Sequence, residues 1–489
     1  MFDVERGGLC RSFAGILRSL FWMCKGGSMH TGNFKTSRKV MMLMGDIVLI
    51  SAAYIMATAL IFNRSAAVEN IFLYNGLLPM LMVITGLLMN VNGLYSIVYK
   101  RFAEVLLGLI VTHFCVLILV MSLSYMLKDY TYSRRVLLVA LLLQCIFLAV
   151  WRFVSWHMGR SILNRRSMLL AGSEAACNHV YNRLRHQPQL NMKLKYVCTE
   201  LADGSWKAAA DKVDIVMICA DMSHRDKTDI VNYCYRHGKE IMLIPESFEL
   251  FCSGARLDKI DDIPVFRLQS LCPSLEVRIM KRTLDILVAL AGLVCALPFM
   301  AAVAIAIKLG DSGPVLYSQV RTGRHGREFR IYKFRTMRVD AEKDSGPMLA
   351  QENDPRITGL GRFLRSVRLD ELPQIWNVLN GDMSIVGPRP ERPFFVEKFV
   401  QEMPEYAYRH NVKPGITGLA QVYGKYNTTP FDKLVYDLMY IQGCSIRTDL
   451  TIIIQTVMVL FTKSATEGVQ KSEVVGVNRY LYNDLGDKK

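Results

Sequence analysis

The chain has 489 residues, a formal net charge of +16 at pH 7, a hydrophobic content of 51% and a mean hydropathy of +0.21. It is long enough for several domains and too apolar for an ordinary soluble enzyme. The positive charge favours an anionic membrane face and phosphate-bearing ligands over nucleic acid, because no zinc-finger or RNA-binding motif accompanies it.

Four apolar runs open the chain, and most are long enough to span about 30 Å of hydrocarbon. They lie near residues 40–62, 71–99, 105–127 and 136–151. Asp46 and His113 interrupt the first and third runs, and a polar contact inside the helix bundle is the favoured interpretation of both. Arg152, just beyond the fourth run, is expected to snorkel. Lys and Arg near the ends of the runs favour cytoplasmic termini. No signal peptide is predicted, and both Met1 and Met29 are candidate starts.

The next region alternates short apolar runs with polar segments, which is typical of a parallel α/β sheet. The predicted strands lie near residues 167–173, 195–200, 214–220 and 240–246. The turn after the first strand has one glycine, Gly172, where a dinucleotide fingerprint has three. The sequence therefore predicts a Rossmann-like domain without a bound NAD. A regulatory or assembly role and a structural spacer both remain open.

An uncharged run from residue 286 to 307 contains Pro298 and follows Lys281 and Arg282. Three interpretations compete: a straight fifth span, a soluble core helix, and a re-entrant helix kinked near Pro298. A core helix would need a large protein cover for an all-round apolar surface. Basic residues at both ends, including Lys308, fit two ends on one membrane face, and proline weakens a helix locally.

The segment RSVRLDELPQIWNVLNGDMSIVGPRPE, residues 365–391, places Asp370 beside Glu371. Two adjacent acids are costly unless a cation or a shared proton neutralises them. The alternative is an ordinary helix start, where acids are favoured in the first turn. Arginines suited to phosphate oxygens surround the pair, and a rigid turn holds Arg389 between two prolines. The segment therefore predicts phosphoryl-transfer chemistry on a metal-bound substrate.

Three further blocks flank this segment. Residues 281–337 end in YSQVRTGRHGREFRIYKFRTM, whose cations could alternatively form a solvated or lipid-headgroup face. Residues 412–424 are VKPGITGLAQVYG, and residues 436–450 are YDLMYIQGCSIRTDL. Together the blocks, over roughly residues 281–450, resemble the bacterial sugar transferases. These are polyprenyl-phosphate sugar-1-phosphate transferases that begin exopolysaccharide, capsule and O-antigen synthesis.

The resemblance implies a role for each matching residue. Asp370 would be the nucleophile that attacks the sugar-bearing phosphate of a UDP-sugar, forming an aspartyl phosphosugar and releasing UMP. Glu371 would help to hold Mg²⁺. The resemblance also implies undecaprenyl phosphate as acceptor and the re-entrant interpretation of residues 283–307. The predicted substrate-binding residues are Arg321, Lys333, Arg335, Arg368, Arg389 and Gln421.

The expected fold is a membrane α-helical bundle, an α/β Rossmann-like domain, and an α-rich catalytic domain with a re-entrant membrane helix. The expected bounds are 1–38 for an N-terminal segment, 39–156 for the bundle, 165–268 for the α/β domain and 272–489 for the catalytic domain. We expect a multi-pass protein of the bacterial inner membrane whose catalytic domain is cytoplasmic and contacts the lipid bilayer. The sugar and any self-association stay open.

Two other functions compete with this one. A conventional membrane glycosyltransferase would move a sugar without its phosphate, but such enzymes often use a DxD motif, which this sequence lacks. A non-catalytic regulator would use the α/β domain as a nucleotide sensor, and the intact acid pair disfavours it. Release of UMP, of UDP or of neither separates the three hypotheses.

Overall fold

The computed structural model describes most of the chain between residues 31 and 460. The described residues are 31–62, 78–95, 102–126, 134–162, 166–185, 190, 192–201, 204–268, 270–310, 313–338, 354, 356–424 and 428–460. They form two compact units that divide between Gly159 and Arg160. The predicted four-part division is finer and stays a prediction. Both candidate starts, and parts of the second apolar run, lie outside the described residues.

The first unit contains four apolar helices, as the sequence predicts. They are α1 (Thr31–Ile61), α2 (Leu78–Val91), α3 (Phe102–Met126) and α4 (Arg134–Ile162). Segments of α1, α3 and α4 are long and apolar enough to cross a membrane, whereas the described apolar part of α2 is shorter. Many of their large apolar side chains are exposed in the protein alone, as expected of helices that face lipid.

A buried ion pair joins the first and last of these helices. The Nη2 atom of Arg152 donates to Oδ2 of Asp46 at 2.6 Å, and both side chains are buried. The predicted bundle contact of Asp46 is therefore confirmed, while the predicted snorkelling of Arg152 is wrong. The reason is that an acid on the facing helix neutralises the guanidinium inside the bundle. His113 is also buried, and its Nδ1 lies 2.8 Å from the carbonyl of Leu109.

The second unit begins with the predicted parallel sheet. Its strands are β1 (Arg166–Ala171), β2 (Met192–Cys198), β3 (Ile215–Ile218) and β4 (Glu240–Leu243), in the order β2-β1-β3-β4. The helices are α5 (Glu174–Arg185), α6 (Trp206–Asp211), α7 (His224–Arg236) and α8 (Ser247–Ser253). Alternate residues of β1 enter two separate apolar clusters, so both faces of the sheet are covered.

An antiparallel hairpin that the sequence did not predict follows the sheet. It consists of β5 (Arg256–Ile260) and β6 (Ile263–Arg267). The long helix α9 (Leu275–Gly310) comes next and contains Pro298. Its buried positions share one stripe of the helix, because they recur at intervals of four and seven residues. These positions are Lys281, Asp285, Ala289, Ala296, Val303 and Ile307.

The remaining part of the second unit is mostly helical, as predicted, but contains two small sheets. The strands are β7 (Leu316–Thr322) with β8 (Glu328–Phe334), antiparallel, and β9 (Ser384–Val386) with β10 (Gly415–Thr417), parallel. The α-helices are α10 (Gly359–Ser366), α11 (Gln374–Asn380), α12 (Pro393–Glu402), α13 (Leu419–Tyr423), α14 (Pro430–Gln442) and α15 (Ile446–Leu460). Short 3₁₀ turns cover Arg324–Gly326, Leu369–Glu371 and Pro404–Asn411.

Candidate functional site

The predicted acid pair lies in the 3₁₀ turn Leu369–Glu371, between α10 and α11. The turn starts at Arg368, whose φ of 58° is left-handed. A side chain rarely adopts this conformation, because its Cβ crowds the backbone. The strained residue reverses the chain after α10, and both Asp370 and Glu371 are buried. Strain of this kind persists only where the surrounding structure fixes it, and it is frequent at functional sites.

Three cations that the sequence singled out converge on Glu371. Lys333 Nζ donates to Glu371 Oε1 at 3.0 Å, and Arg389 Nη2 donates to the same oxygen at 2.8 Å. Arg368 Nη1 lies 3.9 Å from the other oxygen, Oε2. The carboxylate of Glu371 is therefore neutralised from several directions. These interactions offset the free-energy cost of removing the charge from water.

Asp370 differs from its neighbour. Its side chain is buried but makes no hydrogen bond or ion pair within the described part of the chain. A buried carboxylate normally has a partner, so an acid without one is a candidate for binding or chemistry. The pair thus combines one acid fixed by cations with one acid free to meet a ligand.

The electrostatic environment separates the two acids. Burial and the negative charge of Glu371 raise the pKa of Asp370, while Lys333, Arg365 and Arg389 limit that rise. Burial also acts to raise the pKa of Glu371, but Arg389 and Lys333 outweigh it and hold that pKa well below its usual range. Burial lowers the pKa of the Lys333 ammonium against the attraction of Glu371. Neighbouring acids with opposite shifts are a frequent mark of functional sites.

Lys333 reaches the acid pair because β8 is fixed to α11. The buried amide of Asn377, on α11, accepts from the backbone N–H of Tyr332 at 3.2 Å and donates to the carbonyl of Arg330 at 2.7 Å. One side chain thus continues the hydrogen bonding of the strand. Because α11 directly follows the acid pair, this contact sets the distance between Lys333 and Glu371.

Arg389 reaches the pair from the turn that follows β9. Gly387 and Gly415 approach each other so closely that a Cβ on Gly415 would lie 2.1 Å from the Gly387 nitrogen. Main-chain bonds cross this contact, from Gly387 N to the Thr417 carbonyl at 2.8 Å and from Gly415 N to the Pro388 carbonyl at 2.9 Å. Only glycine permits this approach. It brings the turn, with Arg389, against the acid pair.

The other three predicted substrate-binding residues are Arg321, Arg335 and Gln421. Arg321 Nη1 donates to the carbonyl of Pro390 at 3.1 Å and lies 3.6 Å from Glu391, so it contacts the arginine's turn and not the acids. Arg335 is buried. Gln421 Nε2 donates to the carbonyl of Ile416 at 2.9 Å, within its own loop. Among the described residues, the hydrogen bonds of Arg321 and Gln421 go to loop carbonyls and not to the acid pair.

The sequence interpretation missed several residues that shape the site. Arg365 influences the charge of Asp370, and its Nε donates to Thr336 Oγ1 at 2.8 Å. Asn377 and Arg409 fix the supporting backbone. Arg365 stands within the motif and could have been found there. Asn377 and Arg409 act through partners distant in sequence, so no local pattern reveals them. In the described residues, no group of three or more His, Cys, Asp or Glu is placed to hold a metal ion.

Two family models match the chain. The model described as bacterial sugar transferase covers residues 276–463, which include the acid pair and all the cations around it. A model described as CoA-binding domain covers residues 90–235. The fold and the site thus define a protein with membrane-type helices and a buried acid pair among cationic side chains.

Curated relatives agree with the first of these families. A UDP-glucose:undecaprenyl-phosphate glucose-1-phosphate transferase of Escherichia coli (strain K12) is 35% identical over 321 residues, 62% of this chain and 69% of the relative. One with the same description from Caulobacter vibrioides is 41% identical over 39% of this chain and 73% of the relative. The chain belongs to the bacterial sugar transferase family.

Coverage is lower for another relative. The UDP-N-acetylgalactosamine-undecaprenyl-phosphate N-acetylgalactosaminephosphotransferase of Aeromonas hydrophila is 44% identical over 207 residues, which are 42% of this chain and 49% of the relative. The chain thus spans about half the length of this relative. The relatives' descriptions differ in their sugars, so family membership alone does not identify the sugar.

Proposed function

We propose that this protein transfers a sugar 1-phosphate from a UDP-sugar to undecaprenyl phosphate, as an early membrane step of polysaccharide synthesis. The observation that carries the proposal is the difference in contacts between the two acids of the pair. Glu371 is neutralised by Lys333 and Arg389, while Asp370 is buried without a hydrogen-bond or ion-pair partner among the described residues. The descriptions of the relatives supply the two substrates.

In the proposed first step, an oxygen of Asp370 attacks the sugar-bearing phosphorus. The bond from that phosphorus to the bridging oxygen breaks, and UMP leaves with the bridging oxygen. Lys333, Arg368 and Arg389 lie where they can hold the phosphate oxygens and stabilise the developing charge. The burial of Asp370 favours reaction, because a poorly solvated carboxylate is a stronger nucleophile than a hydrated one.

In the proposed second step, a phosphate oxygen of the lipid attacks the same phosphorus. The bond to Asp370 breaks, the carboxylate returns, and the product is undecaprenyl diphosphate sugar. Each step exchanges one phosphorus–oxygen bond for another, so no oxidant or further co-substrate is needed. Arg389 and Lys333 would hold the phosphate oxygens throughout.

Magnesium fits the residues that are present. In proteins Mg²⁺ is commonly held by one or two carboxylates together with substrate phosphates and water. Glu371 uses Oε1 for Lys333 and Arg389, while Oε2 lies 3.9 Å from its nearest ion-pair partner, Arg368. Glu371 would therefore hold the ion through Oε2, with the donor diphosphate completing the ligands. When bound, the ion would mask the negative charge of the diphosphate.

Purified protein incubated with a panel of UDP-sugars, undecaprenyl phosphate and Mg²⁺ tests the proposal. We expect release of UMP and formation of a lipid diphosphate sugar with one or a few donors. Release of UDP would instead support a conventional glycosyltransferase. Release of neither nucleotide with any donor would support the regulatory alternative.

We also propose that α9 enters the membrane from the cytoplasmic side and returns. Along its whole length one stripe packs on elements of the second unit, from Asp285 with Ser384 to Ile307 in the cluster around Phe334. The opposite side exposes large apolar residues, including Val294 and Phe299. A straight span would carry the packed elements into the hydrocarbon with it, whereas a helix that returns keeps them at one face.

Cysteine labelling of intact cells tests this placement. In a variant without other cysteines, Glu402→Cys at the exposed end of α12 should react with an impermeant maleimide only after the cells are permeabilised. Reaction in intact cells would place the second unit outside and contradict the proposal. Pro298→Leu removes the helix-weakening residue and should shift part of the population towards a straight span.

A further inference from the structure

The turn that carries Arg389 lacks main-chain support at its centre. Arg389 stands between Pro388 and Pro390, and proline has no N–H to donate. Main-chain bonds support the turn at the Pro388 carbonyl and again at the Glu391 carbonyl, which accepts from the N–H of Thr322 at 2.9 Å. The carbonyls of Arg389 and Pro390, between these two points, must be bonded by side chains or by water. The Pro390 carbonyl accepts from Arg321.

Buried cations donate to one carbonyl just before the turn and to one at its centre. Before it, Lys281 Nζ donates to the carbonyl of Val386 at 2.9 Å. At its centre, Arg409 Nη2 donates to the carbonyl of Arg389 at 2.9 Å. Both cations are buried. Hydrogen bonds to main-chain carbonyls alone do not offset the desolvation free energy of a buried charge.

Each cation has the same kind of supporting partners. Lys281 pairs with Asp449 at 2.6 Å and donates to the hydroxyl of Tyr440 at 2.9 Å. Arg409 pairs with Asp437 at 2.8 Å and donates to the hydroxyl of Tyr406. Both acids are buried on the last two described helices, α14 and α15.

We propose that Arg409, held by Asp437, is a positioning residue for the phosphate-binding arginine Arg389. The carbonyl carbon that Arg409 fixes is bonded directly to the Cα from which the Arg389 side chain extends. Fixing this peptide fixes the direction in which the guanidinium leaves the backbone, towards Glu371 at 2.8 Å. The inference rests on the proposed function, because it assigns Arg389 to the substrate phosphates.

The shape of arginine explains why this position is not equivalent to lysine. The guanidinium of Arg409 uses one terminal nitrogen for Tyr406 and the other for both Asp437 and the Arg389 carbonyl. A single ammonium cannot reproduce this planar set of directions. Arg409→Lys therefore keeps the charge beside Asp437 but loosens the peptide of Arg389.

A double-mutant cycle between Arg409 and Arg389 tests the inference. We expect Arg409→Lys and Arg389→Lys each to lower kcat/KM for the UDP-sugar by about ten-fold, mostly through kcat. The double variant should be within about two-fold of Arg389→Lys alone, because both changes remove the same interaction. Multiplying effects, near a hundred-fold in the double variant, would overturn the positioning role.

A matched control separates positioning from stability. Lys227 is another buried cation, paired with Glu249 at 2.9 Å in the α/β region and without contact to the turn. Lys227→Met should lower the melting temperature and leave kcat/KM unchanged. If Arg409→Lys does not fold, Tyr406→Phe, which keeps the ion pair, should still lower kcat and couple to Arg389→Lys. An unchanged kcat in Tyr406→Phe would then count against the inference. A wild type without any transfer activity would refute the proposed function instead.

Discussion

Two turns of the second unit each contact or contain an acidic side chain, and the contacts of that side chain differ. In the turn after β1, the backbone N–H of Ser173 donates to the carboxylate of Asp221, which follows β3, at 3.1 Å. This is the place where dinucleotide folds bind phosphate at a helix N-terminus. In the turn before α11, cations engage Glu371, and Asp370 has no partner in the described structure.

The difference separates the candidate phosphate site from the turn after β1. In the turn after β1, the protein's own carboxylate already accepts from the N–H of Ser173, despite the parallel-sheet setting. The turn before α11 offers Lys333, Arg368 and Arg389 in addition to a free acid. A surplus of fixed cations, and not the sheet topology, therefore marks the candidate phosphate site.

The largest expected effect comes from Asp370→Asn. An amide is a poor nucleophile, so turnover should fall by roughly 10³-fold or more, while UDP-sugar binding survives. With donor and no lipid, the wild type should release at most about one UMP per site and retain sugar phosphate on Asp370, measurable by mass spectrometry. Asp221→Asn, the matched change at the carboxylate that the turn after β1 contacts, should leave turnover intact. Failure to trap any adduct, with kinetics that need both substrates bound at once, would contradict the covalent mechanism.

A smaller effect is expected from Arg389→Lys. The variant keeps a positive charge but loses the planar fork that can bind a phosphate through two parallel bonds. Steady-state kinetics should show a fall in kcat/KM of roughly ten-fold, about 1.4 kcal/mol. The matched control is Arg327→Lys, because Arg327 belongs to the same basic block and is exposed. Similar small effects at both positions would remove Arg389 from the site.

The pH dependence of the donor half-reaction should report the raised pKa of Asp370. Burial and Glu371 raise this pKa above its ordinary 3.8, so the reactive carboxylate is lost at a higher pH than for a solvated aspartate. Arg365→Met removes a cation that opposes this rise in pKa. In a plot of UMP burst amplitude against pH, the loss of the burst at low pH (the acid limb) should move to still higher pH. A limb at or below 3.8 would show that Asp370 is not the ionising group.

Unfolding measurements over the same pH range provide the control. A carboxyl with a raised folded pKa stabilises the fold most below its unfolded pKa, and that contribution is lost as pH rises through the folded pKa. Protonation of Asp370 therefore does not itself unfold the protein. A melting temperature that falls together with the burst at low pH would assign the acid limb to other groups.

The residues at the centre of the site could be predicted from the sequence, but the residues that position them could not. Asp370, Glu371 and Arg389 share one segment, and Lys333 lies in a block that resembles the same family. The structure brings these four together. By contrast, Arg321 and Gln421 fit the motifs equally well, yet their side chains bond loop carbonyls. A motif match identifies the residue type at a position. It does not identify the atoms that the side chain contacts.

The fold shows the same limit for long-range pairs. The apolar runs and the strand rhythm follow from local periodicity, and both were predicted. The partner of Arg152 is Asp46, 106 residues away, and the partner of Lys281 is Asp449, 168 residues away. No window of sequence contains both members of either pair. Arg152 was therefore expected to reach the membrane surface, although it is buried within the bundle.

The smallest expected effect comes from Asp221→Asn, measured as UDP affinity. If this carboxylate occupies a phosphate position that the protein does not use, the affinity should change by less than about two-fold. Asparagine still offers an oxygen to Ser173 N–H, so unfolding should shift by about 1 kcal/mol at most. Arg389→Lys serves as the positive control, since it should weaken UDP-sugar turnover in the same preparation. A ten-fold gain in UDP affinity for Asp221→Asn would show that the turn after β1 binds nucleotide once its acid is neutral. The contrast between the two turns would then lie in one side chain and not in their architecture.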